Sequence, residues 1–212
     1  MDKKTTYSYY NEMMWPGRFA DCITTEQALS LLNAAQAKIH ANVTSLRLRP
    51  FILSRDFDEI RNWITDERTH ALWSANRIKY PLDKSSFADA MAELAEQCGD
   101  SPFVATDEND KPAGFFCYSL NHESGEGMLK FIMVNPTLRG QGLGKKMLRL
   151  ALKYAFEITG AKAVHLNVFS QNVRARRCYE GAGFAERNTS PGAFRYKDES
   201  WDRCNMIVRK AY

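Results

Sequence analysis

Between an apolar run and a strongly periodic helix the chain carries "VNPTLRGQGLGKKML", Val134 to Leu148, with Arg139 and three glycines inside six residues. Glycine lowers helix stability by about 1 kcal/mol relative to alanine, so glycines at a helix start need a reason. Either the loop requires positive φ, or a backbone surface is laid bare for a ligand. The flanks fix the setting. "MLKFIMV" (128–134) reads as a sheet-forming run. A helix from about Gly142 to Thr159 presents Leu143, Met147, Leu148, Ala151 and Ile158 on one face, with Gly160 as its C-terminal cap. A helix N-terminus carries unsatisfied N–H donors and about half a positive charge, which suits an anion. Glycines let a phosphate approach that backbone, and Arg139, Lys145 and Lys146 add full charges around it. The Gly-x-Gly-x-Gly spacing departs from the dinucleotide-binding pattern, and no Gly-Lys-Ser/Thr follows to make a Walker loop. A strand-to-helix turn using glycine for geometry alone stays open at this point.

The rest of the chain bounds the answer. With 44% apolar and 25% charged residues in 212, the composition is that of a globular protein able to bury a core. No run approaches the roughly 18 apolar residues of a spanning helix, and the N-terminus lacks the apolar core of a signal peptide. The expected location is cytoplasmic, with no membrane partner. Five cysteines, widely spaced and without a C-x-x-C pair, argue against a disulfide framework and against a zinc site; no metal is expected. A net charge of +4 is too mild for a nucleic-acid binder.

Residues 1–44 read as an N-terminal arm with one amphipathic helix, opened by the capping box Thr24-x-x-Gln27 and carrying Leu29, Leu32, Ala35 and Ile39. Residues 45–212 read as one α+β domain with a mixed sheet. Its elements are a strand at 46–51, a helix from a Ser54 cap through Ile64, a helix from Ser86 to Cys98, and a hairpin at 102–106 and 113–120. The strand 128–134 and the helix 142–159 follow. Then come a strand at 163–169, a short helix ending at Gly183, and a last strand in "WDRCNMIVRK".

Val134, Pro136, Arg139, Gly140, Gly142 and Gly144 spell V-x-P-x-x-R-G-x-G-x-G. Downstream, Asn172, Ala175, Tyr179, Gly183 and Phe184 spell N-x-x-A-x-x-x-Y-x-x-x-G-F. Two motifs at this separation, each on the expected element, closely resemble the GNAT superfamily of acetyl-CoA-dependent N-acetyltransferases, over roughly residues 46–210. The resemblance implies that the central sheet splays between strands 128–134 and 163–169, flanked by helices. It implies that Arg139, Gly140, Gln141, Gly142, Leu143, Gly144 and Lys145 hold the pyrophosphate of acetyl-CoA. Ile132, Met133 and Val134 would pair with the pantetheine arm, and Asn172 would contact the cosubstrate. Tyr179 would protonate the leaving thiolate. Arg174, Arg176 and Arg177 could reach the 3′-phosphate, although a solvated basic face explains them equally well. Asn172 also suits a helix N-cap, and Cys178 is expected to pack in the core.

The sequence departs from the family pattern at the general base. Asn167 stands where members acting on protein N-termini often carry glutamate, and Met128 and Lys130 stand where other branches place one. Ordered water held by Asn167 is the expected proton route, with Glu126 the first carboxylate to suspect otherwise. The aromatics Trp63, Trp73, Tyr80, Phe116, Tyr118, Phe194, Tyr196 and Trp201 would suit a cationic amine but are expected mostly in the core. Asp66, Glu67, Glu123, Glu126 and Glu199 are expected to be mostly solvated. The implied activity is acetyl transfer from acetyl-CoA directly to a primary amine, be it a small amine, an aminoglycoside-like compound or a peptide. The alternative is a non-catalytic acyl-CoA sensor on the same fold. The arm's apolar face predicts a homodimer.

Overall fold

The structure is a computed structural model that describes residues 45–210, so the expected arm at 1–44 lies outside the described residues. Seven strands form one sheet: β1 (Arg47–Pro50), β2 (Ser101–Thr106), β3 (Pro112–Asn121), β4 (Glu126–Val134), β5 (Ala163–Phe169), β6 (Ala185–Tyr196) and β7 (Glu199–Arg209), in the order β1-β2-β3-β4-β5-β7-β6. All neighbours are antiparallel except β4 and β5. Among the described residues five α-helices accompany it: α1 (Leu53–Arg61), α2 (Glu67–Ser74), α3 (Lys84–Cys98), α4 (Leu143–Lys153) and α5 (Val173–Glu180).

Each face of the sheet has its own core. Met147, Leu148 and Ala151 of α4 and Tyr179 of α5 pack with Leu129, Leu166, Val168 and Met206. On the opposite face Phe57 and Ile60 of α1 and Phe87 and Leu94 of α3 pack with Val104, Phe115, Phe131 and Met133. A third cluster joins Ala71 of α2 to Phe169, Tyr196 and Trp201. Most of these aromatics are therefore core, as expected. Trp73 instead reaches a cleft, and Tyr80 is exposed.

Parallel pairing between β4 and β5 runs from Glu126↔Ala163 to Leu129↔Leu166 and then stops. Beyond Leu129 the two strands part, which is the expected splay. A bulge accompanies it. The β3–β4 register shifts between Phe115 and Cys117, and Phe131 sits at φ 51°. The extra residue lets Phe131 join the α1/α3 core while Leu129 and Ile132 face α4. The Trp73 indole N–H donates to the Phe131 carbonyl at 2.8 Å, satisfying a group the bulge leaves unpaired.

Several boundaries differ from the sequence reading. Helix α2 was not expected. Its residues Thr69, His70 and Trp73 are indifferent helix formers, but the Asp66 side chain accepts from the Thr69 N–H at 2.8 Å and caps it. Ser54 is not the cap of α1 but lies inside it; Asp56 instead accepts from the Ile52 N–H at 2.8 Å. The long helix ends as α at Lys153 and continues as a π-turn over Tyr154–Ile158 before Gly160 reverses the chain. Strand β6, a stretch for which the sequence reading names no element, contains Pro191 and Gly192. A register shift between Ser190 and Phe194 absorbs them.

Gly127 shows how closely the sheet is packed. A Cβ there would lie 2.6 Å from the Tyr118 ring, whose hydroxyl is bonded to Thr159 at 2.7 Å. Gly127→Ala is expected to destabilise by about 1–3 kcal/mol. A lower urea midpoint at unchanged m-value would read this out.

Candidate active site

At the splay the chain encloses a cleft of about 440 Å³. Its walls come from the separated ends of β4 and β5, the loop into α4, the Tyr179 face of α5, and Thr69, Leu72 and Trp73 of α2. Of the residues expected to bind the cosubstrate, Ile132, Met133, Val134, Arg139, Gly140, Gly142, Leu143, Gly144, Lys145 and Asn172 all line it. Gln141 does not; its side chain is exposed.

The loop leaves an unusual run of free donors. Among the described residues, no acceptor faces the backbone N–H groups of Gly140, Gln141, Gly142, Leu143, Gly144 or Lys145. The first intrahelical bond of the turn is Lys146 N–H to the Gly142 carbonyl at 3.1 Å. Gly140 and Gly142 sit at φ 85° and 74°, and a Cβ at either would meet nothing within 4 Å. Positive φ and open space over bare donors coincide, as an anion cradle requires. Arg139, Lys145 and Arg174 have no carboxylate partner among the described residues. Burial, and then the neighbouring Arg174 charge, lower the Arg139 pKa. An anion bound beside it would offset both effects by its opposite charge.

Gly144 serves a different purpose. A Cβ on it would lie 3.0 Å from Cys178 Sγ and 3.6 Å from Val134. The glycine thus lets the start of α4 close onto both α5 and the end of β4. Cys178 packs at the edge of the core, and burial raises its thiol pKa, which opposes a nucleophilic role.

The edge of β4 is open where it matters. Asn135 N–H donates to Ala113 on β3 at 2.9 Å. By strand alternation the preceding N–H, that of Val134, points the other way, into the gap left by β5. Tyr179 is buried, its ring edge against Phe184. Burial pushes its phenol well above the usual value near 10. Its hydroxyl has no hydrogen-bond partner among the described residues, and the residue lines the cleft. Asn172 is the N-cap of α5, accepting from the Ala175 N–H at 3.2 Å, so cap and wall coincide in one side chain.

Among the described residues, no carboxylate and no histidine lines the cleft. Glu126 lies at the far end of β4 from Val134, eight residues or about 27 Å along the strand. Both of its carboxylate oxygens accept from Arg187 Nη1, at 3.0 and 2.9 Å, and that guanidinium holds its carboxyl below the usual range. The choice of Glu126 as fallback base is therefore corrected: position and pKa both oppose it. Glu199 is bonded by Arg68, which draws its pKa down to about 2, and Glu67 pairs with Lys197 at 2.9 Å. These carboxylates are paired rather than simply solvated. No group of acidic, histidine or cysteine side chains among the described residues has the arrangement of a metal site. No described helix is long and apolar enough to cross a membrane.

Comparison with known proteins agrees with this geometry. Residues 57–184 match the family model described as the acetyltransferase (GNAT) family. A spermine/spermidine N(1)-acetyltransferase of Bacillus subtilis is 25% identical over 127 residues, 57% of this chain and 84% of that protein. A 5-NmdU N-acetyltransferase of Pseudomonas phage PaMx11 is 29% identical over 134 residues, 63% of this chain and 91% of that protein. Among solved structures, a spermidine N-acetyltransferase from Vibrio cholerae in complex with CoA and spermine superposes with a TM-score of 0.67. It is 20% identical, covering 77% of this chain and 95% of that one.

Proposed function

The chain belongs to the acetyltransferase (GNAT) family and is an acetyl-CoA-dependent N-acetyltransferase, and we propose that it transfers the acetyl group directly to a primary amine in the cleft between β4 and β5. The observation that carries this reading is the meeting, in one cleft, of the unpartnered N–H groups of Gly140, Gly142, Leu143, Gly144 and Lys145, cations with no carboxylate partner among the described residues, an open strand edge and a buried phenol.

Each part has a task. The free N–H groups from Gly140 to Lys145, with Arg139, hold the pyrophosphate of acetyl-CoA. The Val134 N–H donates to the carbonyl oxygen as negative charge develops there. Tyr179, kept protonated by burial, gives its proton to the departing sulfur, whose thiol has a reference pKa near 8.5. A non-catalytic sensor would have no use for a donor at that end of the cleft. The amine must arrive neutral, and an alkylamine of pKa near 10.4 is only about one part in a thousand neutral at pH 7.4. With no carboxylate in the cleft, the proton leaves through ordered water beside Asn167.

Thiol release from acetyl-CoA in the presence of a panel of primary amines tests the reading. Amine-dependent release is expected, and its absence with every amine would refute direct transfer. A positioned side-chain base contributes about 10²–10⁴-fold. Single changes of Glu67, Glu123, Glu126 or Glu199 to glutamine are therefore expected to lower kcat/KM by less than about tenfold. The pH profile should climb with slope one toward the amine's own pKa. Tyr179 imposes no alkaline loss below about pH 10, since its acid form persists above the usual tyrosine value. A break near pH 6–7 together with a hundredfold loss in one glutamine variant would identify a remote carboxylate as the base.

A further inference from the structure

The last paired residues of β4 and β5 are Leu129 and Leu166, both in the core beneath α4. The next residue on each strand, Lys130 and Asn167, therefore turns to the opposite face and stands across the opening gap; both line the cleft. The cosubstrate's phosphates belong on the α4 side, so this face is where an acceptor comes in.

What the two side chains offer there is fixed by their partners. Lys130 Nζ donates to both oxygens of Asp100 at 2.7 and 2.9 Å, and the Asp100 side chain is only 1% exposed. An ammonium has three N–H donors, so one remains for the cleft, while the carboxylate is shut away behind it. Asn167 is fixed by a chain of bonds from the β6–β7 ribbon. Glu126 holds Arg187, whose Nε donates to Asn205 Oδ1 at 2.7 Å; Asn205 Nδ2 then donates to Asn167 Oδ1 at 2.9 Å. With its oxygen holding Asn205, Asn167 keeps both protons of its N–H₂ free for the gap. Lys130 and Asn167 thus each turn N–H donors to the gap, and the carboxylates of Glu67, Glu126 and Glu199 are each held by a cation.

We propose that Lys130 and Asn167 select the acceptor by hydrogen-bonding an oxygen it carries close to its amine, so that the substrate is an amine bearing a carbonyl or carboxylate rather than a polyamine. A second ammonium would find no free carboxylate on these walls among the described residues and would face Lys130. The proposal rests on direct transfer to an amine in this cleft.

The test compares kcat/KM for glycinamide and β-alanine, which carry amine and oxygen, with propylamine, which carries the amine alone, and spermidine, which carries further ammonium groups. At least one oxygen-bearing amine should exceed both others by tenfold or more. Lys130→Met should remove most of that advantage through KM while leaving propylamine within about threefold. Because Lys130→Met strands Asp100, the double variant Lys130→Met/Asp100→Asn serves as the alternative in case it misfolds. Spermidine as the better substrate, or an unchanged preference in folded variants, would overturn the assignment of Lys130 and Asn167. Failure to turn over any of the four amines by protein that binds acetyl-CoA would overturn direct transfer itself, and this proposal with it.

Discussion

Replacing Tyr179 by phenylalanine is expected to lower turnover by roughly 100-fold while leaving acetyl-CoA affinity nearly intact, the lower end of the range for a positioned general acid. The ring is 7% exposed and packs edge-on against Phe184, so the variant keeps its shape and loses only the hydroxyl. No described group accepts from or donates to that hydroxyl, so its removal strands no buried partner. The loss should therefore appear in kcat and kcat/KM alike, with little change in melting temperature, the pattern of an interaction made in the transition state. Calorimetric binding of acetyl-CoA alongside single-turnover thiol release would separate the two steps. Full single-turnover rate in the variant would mean that the proton reaches sulfur by another path.

How much of this was legible before the fold was known depends on where the signal is carried. The loop into α4 announces itself because three glycines and an arginine leave few alternatives, and nearly all the residues read there line the cleft. Tyr179 and Asn172 came from a motif whose spacing is set by one helix. Three features stayed hidden. Helix α2 rests on one Asp66 cap and on burial of Ala71 against Trp201, a contact 130 residues apart. Strand β6 is held by pairing to β7, which overrides its Pro191 and Gly192. The donor character of Asn167 depends on Asn205 and Arg187, 38 and 20 residues away, and no local pattern encodes that bond order. Glu126 was misjudged for a related reason: adjacency to β4 in sequence placed it at the strand's start, whereas the site lies at its end. Local backbone demands could be read directly; long-range pairing could not.

Introducing a carboxylate at Gly142 should lower acetyl-CoA affinity at least tenfold, or about 1.4 kcal/mol. Gly142 is the N-cap of α4, at φ 74°, in the middle of the unpartnered N–H run. A Cβ there meets nothing within 4 Å, so Gly142→Glu clashes with no described residue. Its conformational cost is the left-handed backbone alone, about 1–2 kcal/mol for a residue other than glycine. The added charge acts differently: it puts a negative group where the helix end, Arg139 and Lys145 favour one, competing with the pyrophosphate and repelling it. Gly142→Gln separates the two effects, since it carries the same backbone strain and nearly the same volume without charge. Affinity should fall much further in the glutamate variant than in the glutamine variant, and that gap should narrow as salt is raised, because the groups are partly exposed. Equal affinities for both variants and the parent, measured by calorimetry on folded protein, would remove this loop from the cosubstrate site. A loss shared equally by both variants would assign Gly142 to backbone geometry and leave the anion to the donors on either side of it.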